Sequence, residues 1–228
     1  MISKLLRKLG LKADHNKTYK QLVAEGYSSQ YGQDKYIAEL LNQKQNGVFI
    51  DIGAHNGVNI SNSYYFEKKL SWTGIAIEPM PEQYAALIKN RNCICVNGCV
   101  YKANTQVAFT VVGGGSNMLS GIAEKLNDQH KKRIYKETKG EGQHTITVQA
   151  YTLSSLLTQH QIGTVDFMSI DTEGSEYEIL QSIDFSTTTI KYITVENNYN
   201  DTRIENLLTQ HNYKIIKRLG CDDIYELG

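Results

Sequence analysis

The sequence predicts an α/β protein built on a doubly wound, mostly parallel β-sheet. Short apolar runs alternate with stretches of helical periodicity along the 228 residues, a pattern typical of parallel strands connected by helices. The first run, residues 48–50, leads through Asp51 into a turn with two glycines. Similar runs later in the chain also end in acidic residues. Such a fold brings these polar groups to the sheet edge where ligands bind.

The individual elements follow from the spacing of apolar residues and from the turn residues between them. Residues 1–26 are polar and lysine-rich and are expected to form an N-terminal helical extension, ahead of one domain over residues 27–228. Strands are predicted over residues 48–52, 74–78, 93–96, 106–112, 144–149, 165–170 and 192–195. Helices are predicted over about residues 57–70, after Pro81, around Leu153, after Glu176 and over about residues 201–211. Residues 213–219 and 223–227 are predicted to form a terminal antiparallel hairpin.

Composition excludes some classes of protein. Lys and Arg together number 24, as do Asp and Glu, and this balance weighs against a nucleic-acid partner, which usually requires a basic surplus. No apolar run approaches the roughly 18 residues of a membrane-spanning helix. The spacing of the four cysteines matches no zinc site, so we expect free thiols and a cytoplasmic protein.

The first residues are amphipathic. Ile2, Leu5, Leu6 and Leu9 would share one helical face, with lysines and an arginine among them. This pattern fits a short helix that caps the domain. A peripheral membrane contact through residues 1–12 is the alternative.

The glycine turn after the first predicted strand indicates which ligand binds there. Its sequence is Gly53-Ala54-His55-Asn56-Gly57, without the middle glycine that lets a backbone approach a pyrophosphate. Asp51 would repel a pyrophosphate and would attract a ligand with an ammonium group. S-adenosylmethionine carries such a group on its amino-acid end, and the turn therefore favours this methyl donor as the cofactor.

The next two strand ends extend the predicted cofactor site. Glu78 ends the second strand, where a carboxylate can accept both hydroxyls of a ribose, and Pro79 follows it. Asn97 and Cys99 follow the third strand, where an adenine ring would pack. The alternative for Glu78 is a helix cap, and for Asn97 a simple turn.

Three segments resemble the FkbM family of S-adenosylmethionine-dependent methyltransferases: residues 29–34, 49–57 and 170–180. The resemblance implies a Rossmann-like class I methyltransferase with a seven-stranded sheet. It also implies O-methylation, often of sugar or polyketide hydroxyls, so the expected partner is a small-molecule or glycan hydroxyl acceptor. By the same resemblance, Glu78 holds the ribose, Asp171 lies beside the reactive methyl group, and the methionine end is lined by Asp51, Gly53, Ala54, Asn56 and Gly57.

Acidic residues after the later strands are candidates for catalysis. Glu173 is the first candidate for a general base, because it lies just past Asp171, where an acceptor would enter; Asp171 and Glu196 are alternatives. The alternative to a catalytic role is that Glu173 is an acid in the first turn of a helix, where the helix dipole favours a negative charge. The three carboxylates could instead share a divalent cation such as Mg²⁺.

Substrate contacts are predicted in two segments. The family-like segment before the first strand offers Gln30, Tyr31 and Gln33, which are expected to close over the cofactor. Residues 113–121 are glycine-rich and predict a flexible loop, either a plain connection or a lid that carries Ser116 and Asn117.

Two other functions compete with methyl transfer. A catalytically inactive cofactor-binding module would keep Asp51 and Glu78 but would not need the acids after the fourth strand. An NAD-dependent sugar oxidoreductase would need a Tyr-x-x-x-Lys pair on a helix after that strand, and the pairs in this sequence lie elsewhere. The sequence predicts neither the acceptor's identity nor the oligomeric state.

Overall fold

A computed structural model describes residues 18–228. Its helices are α1 (Tyr19–Ala24), α2 (Gln33–Leu40), α3 (Tyr64–Leu70), α4 (Pro81–Asn90), α5 (Asp128–Thr138), α6 (Leu153–Gln159), α7 (Glu176–Gln181) and α8 (Thr202–Gln210), with a 3₁₀ helix over Gly114–Leu119. Its strands are β1 (Val48–Ile52), β2 (Thr73–Glu78), β3 (Ile94–Asn97), β4 (Cys99–Val100), β5 (Thr105–Val112), β6 (Gly121–Ile122), β7 (Gln143–Tyr151), β8 (Thr164–Ile170), β9 (Thr189–Glu196), β10 (Tyr213–Leu219) and β11 (Asp222–Leu227).

The main sheet has seven strands in the order β10-β11-β9-β8-β1-β2-β3. The five strands from β9 to β3 run parallel, and β11 pairs antiparallel with both β9 and β10. This confirms the predicted parallel sheet with a C-terminal antiparallel hairpin. Since the order reverses at β1, a crevice opens at the carboxyl ends of β1 and its neighbour β8.

Burial on both faces explains why the central strands are almost continuously apolar. In β1, Phe49 and Ile50 are fully buried although their side chains point to opposite faces of the sheet. Ile50 packs in a cluster with residues of α6, α7 and α8. Phe49 packs in a second cluster with Phe66, Trp72 and residues of α2 and α3.

A second, four-stranded sheet in the order β4-β7-β5-β6 was not anticipated from the sequence. Its long antiparallel pair joins β5 to β7, and its inner face carries a separate apolar cluster that includes Met80, Phe109, Ile122 and Val148. Because β4 follows β3 after a single residue, Gly98, this sheet stands beside the carboxyl end of the main sheet.

Two local predictions were wrong. The helix expected from residue 57 begins at Tyr64, because Asn56 Oδ1 accepts the N–H groups of Val58 and Asn59 in a turn. The segment expected to be a flexible loop contains the 3₁₀ helix Gly114–Leu119. Its carboxyl end is held by the Ser120 hydroxyl, which bonds to the Asn117 carbonyl.

No helix among residues 18–228 combines the length and the apolar character that crossing a membrane requires. The predicted membrane contact through residues 1–12 lies outside the described residues, as does most of the predicted extension. From that extension the structure describes α1, whose Leu22 is buried.

Gly53 is required by packing as well as by backbone conformation. A Cβ at this position would lie 1.8 Å from the carbonyl oxygen of Asp171, and its φ is +89°. Gly26 has a similar φ of +92°, but a Cβ there would meet nothing within 4 Å. Comparing alanine substitutions at these two positions therefore separates the energetic cost of a left-handed backbone from the cost of the contact with Asp171.

We expect Gly53→Ala to lower the free energy of unfolding by about 2–5 kcal/mol, because strain and overpacking add. Gly26→Ala should cost only about 1–2 kcal/mol. Urea unfolding of both variants measures the difference. Equal losses would mean that the contact with Asp171 relaxes freely.

Candidate functional site

The candidate site is a cleft of about 580 Å³ between the main sheet and the second sheet. It runs along the carboxyl ends of β1, β2 and β8, as the strand-end acids predicted. Its lining comprises Ile52, Gly53, His55, Ile77, Glu78, Pro79, Met80, Gly98, Cys99, Val100, Phe109, Met118, Ser120, Ile122, Asp171, Thr172, Glu173 and Ser175.

Glu78 is fixed at the end of β2 by backbone hydrogen bonds. One carboxylate oxygen accepts the N–H of His55 and the other accepts the N–H of Met80, each at 2.8 Å. Burial nevertheless raises the pKa of Glu78 to about 7. Each oxygen keeps a further lone pair, so this carboxyl group can still receive ligand hydroxyls from the cleft.

The opposite wall of the cleft is apolar. Cys99 and Phe109 are buried there, and burial raises the pKa of the Cys99 thiol to about 12, so the thiol stays neutral. Ile77, Met118 and Ile122 extend the same wall. An apolar slot beside a carboxyl group that accepts hydroxyls suits a nucleoside. Phe109 and Ile122 were not predicted, because they belong to the second sheet, whereas Met118 lies in the segment predicted as a possible lid.

A smaller space of about 310 Å³ continues from the cleft past Gly53, His55 and Asp171. Its further lining includes Asp51, Ala54, Ser61, Asn62 and Ser169. Within the described chain, buried Asn62 Oδ1 and His55 Nδ1 have no hydrogen-bond partner. Two unpaired acceptors beside Asp51 suit a ligand that donates hydrogen bonds.

Asp51 is buried at the floor of this space. Hydroxyl groups of Ser61 and Ser63 donate to its Oδ2, and the nearby Arg91 offsets part of its charge. Burial is the larger influence and raises the pKa of Asp51 above its ordinary value.

Three residues predicted to bind the cofactor support the turns around it. Asn56 Oδ1 caps the backbone of the glycine turn. A Cβ on Gly57 would meet Leu87 at 2.5 Å, so Gly57 allows the turn to pack on α4. The exposed Asn97 donates its side-chain N–H to the carbonyls of Glu78 and Pro79. Direct ligand contact by these three residues stays a prediction.

Asp171 and Glu196 form a carboxyl pair after β8 and β9. A hydrogen bond links them, and burial together with neighbouring like charges raises the pKa of Asp171 well above its ordinary value. Asp171 is exposed to solvent in the cleft, and part of the effect on its pKa comes from like charges on Asp222 and Glu173. Burial first and Asp171 second raise the pKa of Glu196 in the same way. Neighbouring carboxyl groups of this kind titrate as a pair, and each disfavours the ionised form of the other.

Glu173 is buried between the cleft and a second cavity, with a left-handed backbone φ of +56°. It does not cap α7, because Ser175 takes the N-cap position. Its carboxylate oxygens lie 3.6 Å from Arg133 Nη1 and 3.3 Å from His130 Nδ1. Burial raises the pKa of Glu173 to about 7, although Arg133 opposes this effect. A base with this pKa suits proton transfer near neutral pH.

The second cavity is polar and measures about 800 Å³. It lies between the chain that precedes α5 and the loop that follows β9, and Glu173 and Glu196 are in its wall. The other lining residues are Glu124, Lys125, Leu126, Asn127, Gly174, Glu176, Tyr177, Glu178, Asn197, Asn198, Tyr199, Asp201, Arg203 and Ile204.

The structure does not support the divalent-cation hypothesis for Asp171, Glu173 and Glu196. Over residues 18–228, no group of three or more His, Cys, Asp or Glu side chains is arranged to hold a metal ion. Glu173 faces Arg133 and His130. Because a cationic side chain lies beside one of the three carboxyl groups, this set does not fit a metal.

The segment expected to close over the cofactor also contacts the terminal hairpin, and direct ligand contact by its residues stays a prediction. Gln33 is buried, and its Nε2 donates to Asp222 at 2.5 Å. A Cβ on Gly220 would collide with the ring of Tyr31 at 2.4 Å, so this ring packs on the hairpin turn. Gln30 is exposed. The segment thus contacts the terminal hairpin, and its Ser29 forms a β-bridge with Ile60, three residues after the glycine turn.

The 3₁₀ helix agrees better with its predicted position. Asn117 Oδ1 lies 3.3 Å from His55 Nε2, which joins this segment to the glycine turn, and Met118 lines both parts of the cleft. Ser116 is half-buried in the same helix.

Sequence reasoning missed four residues around Glu173: His130, Arg133, Asn198 and Tyr199. All four lie in stretches that are polar in sequence. His130 is the third residue of α5, and its backbone N–H donates to the side chain of the N-cap residue Asn127. That capping pattern predicts a helix start but gives no sign of contact with Glu173.

The sheet order and the row of strand-end acids define a Rossmann-like class I methyltransferase. The model of the methyltransferase FkbM domain matches residues 51–215, well over half of the chain, and the chain belongs to this family. It is a methyltransferase, and the family implies S-adenosylmethionine as the methyl donor. A comparison with curated proteins gave no match.

Solved structures with similar folds include other methyltransferases. Methyltransferase FkbM from Methylobacillus flagellatus KT is 14% identical over 79% of this chain and 43% of its own, with a TM-score of 0.45. Precorrin-6y C5,15-methyltransferase from Geobacter metallireducens GS-15 is 13% identical over 86% of each chain, with a TM-score of 0.43. The N-terminal domain of human METTL16 is 11% identical over 84% of this chain and 66% of its own, with a TM-score of 0.44.

Glu78 should make stability depend on pH. Its pKa is about 7 in the folded protein against 4.5 ordinarily. Between these values the folded protein keeps a proton that the unfolded chain has lost, so the free energy of unfolding falls as pH rises. At about 1.4 kcal/mol per pKa unit, this contribution is about 3 kcal/mol.

We expect Glu78→Gln to flatten the pH dependence of urea unfolding between pH 4.5 and 8 by about this amount. Glu82→Gln in the first turn of α4 replaces an exposed acid and serves as the control. An unchanged slope in Glu78→Gln would show that Glu78 is ionised throughout this range.

Proposed function

We propose that this methyltransferase transfers a methyl group from S-adenosylmethionine to a hydroxyl group of a sugar, a glycan or a related small molecule. The observation that carries the proposal is the position of Glu173. Glu173 lines both the cleft with the apolar wall and the polar cavity. With the methyl donor in the cleft and the acceptor in the polar cavity, Glu173 would lie between them.

The donor would be held by groups that the cleft already presents. Glu78 would accept the ribose hydroxyls, and the apolar wall with Cys99 and Phe109 would cover the adenine ring. Asp51 and the unpaired Asn62 Oδ1 would accept hydrogen bonds from the ammonium group. Pro79, Gly53 and Ala54 line the same spaces.

The bound donor supplies an activated methyl group: as the acceptor oxygen bonds to carbon, the carbon–sulfur bond breaks and its electron pair stays on sulfur. The protein aligns the groups, which is worth about 7–11 kcal/mol when the geometry is good. Glu173 takes the hydroxyl proton and adds about 10²–10⁴-fold as a general base. Asp171 and Glu196 are weaker candidates, because neither lines both spaces beside a cationic group as Glu173 does.

The chemistry of the polar cavity supports a polyhydroxylated acceptor. Asn197 and Asn198 offer amides that donate and accept hydrogen bonds, and Tyr199 and Arg203 add further donors. Such a lining recognises several hydroxyls of one small molecule. The zero formal net charge continues to argue against a nucleic-acid partner.

A cytoplasmic location is part of the proposal. All four cysteines are unpaired, as expected in a reducing compartment.

We expect Glu173→Gln to reduce kcat by about 10²–10⁴-fold while the Kd for S-adenosylmethionine stays within about threefold, since this side chain removes a proton rather than holding the donor. Calorimetry measures the Kd. Methyl transfer to a panel of simple glycosides measures kcat. Glu141→Gln, in an exposed turn, is the matched control and should leave both quantities unchanged.

Two results would contradict the proposal. Near-wild-type turnover by Glu173→Gln would remove Glu173 as the base. Donor binding by the wild type without turnover on any hydroxyl acceptor would favour a catalytically inactive cofactor-binding module.

A further inference from the structure

His130 is a buried histidine that contacts three groups around the candidate base. It lies on α5, only 1% exposed. Its Nε2 is 2.9 Å from the carbonyl oxygen of Leu119. Its Nδ1 is 3.1 Å from the Tyr199 hydroxyl and 3.3 Å from Glu173 Oε2. Both ring nitrogens are thus engaged with the protein.

The carbonyl of Leu119 determines which ring nitrogen carries the proton. A carbonyl oxygen can only accept a hydrogen bond, so His130 Nε2 must be the donor. Burial lowers the pKa of His130 below its ordinary value, which favours the neutral ring. In a neutral ring with Nε2 protonated, Nδ1 presents a lone pair.

That lone pair faces two groups that can donate to it. Burial raises the pKa of the Tyr199 phenol, so its hydroxyl keeps its proton and can donate. An ionised Glu173 has no proton to offer, but a protonated Glu173 does. The partner of Nδ1 therefore changes when Glu173 gains a proton.

We propose that His130 is a positioning residue for Glu173: its Nδ1 accepts a hydrogen bond from Glu173 once that carboxylate has taken the proton of the acceptor hydroxyl. Before transfer, Tyr199 donates to Nδ1 and Glu173 is ionised. During transfer, the hydroxyl proton moves to Glu173 Oε2, which then donates to Nδ1. This inference rests on the proposed O-methyl transfer.

The backbone around Glu173 fixes its direction. Glu173 has a φ of +56°, a conformation that costs a non-glycine residue about 1–2 kcal/mol. Glu176 holds the loop by accepting the N–H groups of Thr172 and Gly174. Glu173 therefore remains directed at His130.

Other groups also face Glu173, and the nearest to Oε2 is the Asn198 amide, whose Nδ2 donates to it at 3.5 Å. Arg133 on α5 and Asn198 after β9 favour its ionised form. Glu137 on α5 and Glu176 on α7 favour its protonated form by repulsion. The pair Asp171 and Glu196 lies close enough for Glu173 to influence its titration.

Leu119 connects His130 to the 3₁₀ helix that borders the cleft. It ends the 3₁₀ helix in which Asn117 contacts His55 of the glycine turn. The same imidazole thus touches the candidate base through Nδ1 and the segment over the cofactor through Nε2.

Two substitutions test the roles of the two ring nitrogens of His130 separately. His130→Gln keeps a hydrogen-bond donor near the position of Nε2 and removes the acceptor at Nδ1. His130→Asn keeps a polar atom near the position of Nδ1 and loses the hydrogen bond to the Leu119 carbonyl. We expect His130→Gln to lower kcat about tenfold at unchanged KM, in methyl transfer from S-adenosylmethionine to simple glycosides. The acidic limb of the pH profile of kcat should move to lower pH in this variant. His130→Asn should stay within about threefold of wild type.

A double-mutant cycle tests whether His130 acts through Glu173. In the Glu173→Gln background, His130→Gln should cause no further loss. The exposed His144→Gln on β7 is the matched control. An equal loss in both backgrounds, or a change in KM with kcat preserved, would show that His130 serves the fold alone.

A readout without turnover keeps this inference separate from the proposed function. In ¹⁵N-histidine-labelled protein without ligands, long-range ¹H–¹⁵N spectra should show His130 protonated at Nε2 and unprotonated at Nδ1 near pH 8. The Nδ1 signal should follow the titration of Glu173 and lose this response in Glu173→Gln. A proton on Nδ1 at pH 8, or an unchanged response in the variant, would refute the role of His130. Absence of methyl transfer would refute only the proposed function.

Discussion

A parallel sheet collects carboxyl groups along one edge, and the rest of this structure accommodates that constraint. β1, β2, β8 and β9 deliver Asp51, Glu78, Asp171 and Glu196, and β11 adds Asp222 from the opposite direction. Removing a carboxylate from water costs several kcal/mol unless hydrogen bonds or opposite charges compensate. The hydrogen bonds and charges around each acidic side chain therefore determine its chemical role.

Each acid has a different form of compensation. Asp51 has serine hydroxyls and a nearby arginine, Glu78 has two backbone N–H groups, and Asp222 has the amide of Gln33. Asp171 and Glu196 compensate each other through a hydrogen bond. Glu173 faces an arginine on one side and an imidazole on the other, and it borders two cavities. This distribution distinguishes Glu173 from the other acids by its position between a cationic and a neutral basic side chain.

The sequence predicted the main sheet and the strand-end acids because both depend on local patterns. Burial on both faces makes β1 apolar, and the residue after such a strand lies at the sheet edge wherever the strand is placed. The neighbours of Glu173 could not be predicted in this way. His130 and Tyr199 are brought together by packing between distant segments, and each lies in a stretch that is polar in sequence.

The second sheet and the role of the segment before β1 illustrate the same limit. β5 and β7 had recognisable strand patterns, but nothing local indicated that they pair with each other outside the main sheet. Gln33 was predicted near the cofactor from its position in a family-like segment. Its contact with Asp222, 189 residues later, depends on where the terminal hairpin adds to the sheet.

The packing of Gly53 against the carbonyl of Asp171 has a mechanical consequence. The glycine turn after β1 and the loop that carries Glu173 meet at this backbone contact, without a side chain between them. A displacement of either segment would therefore be transmitted directly to the other. The relative position of the glycine turn and Glu173 is thus set by the backbone.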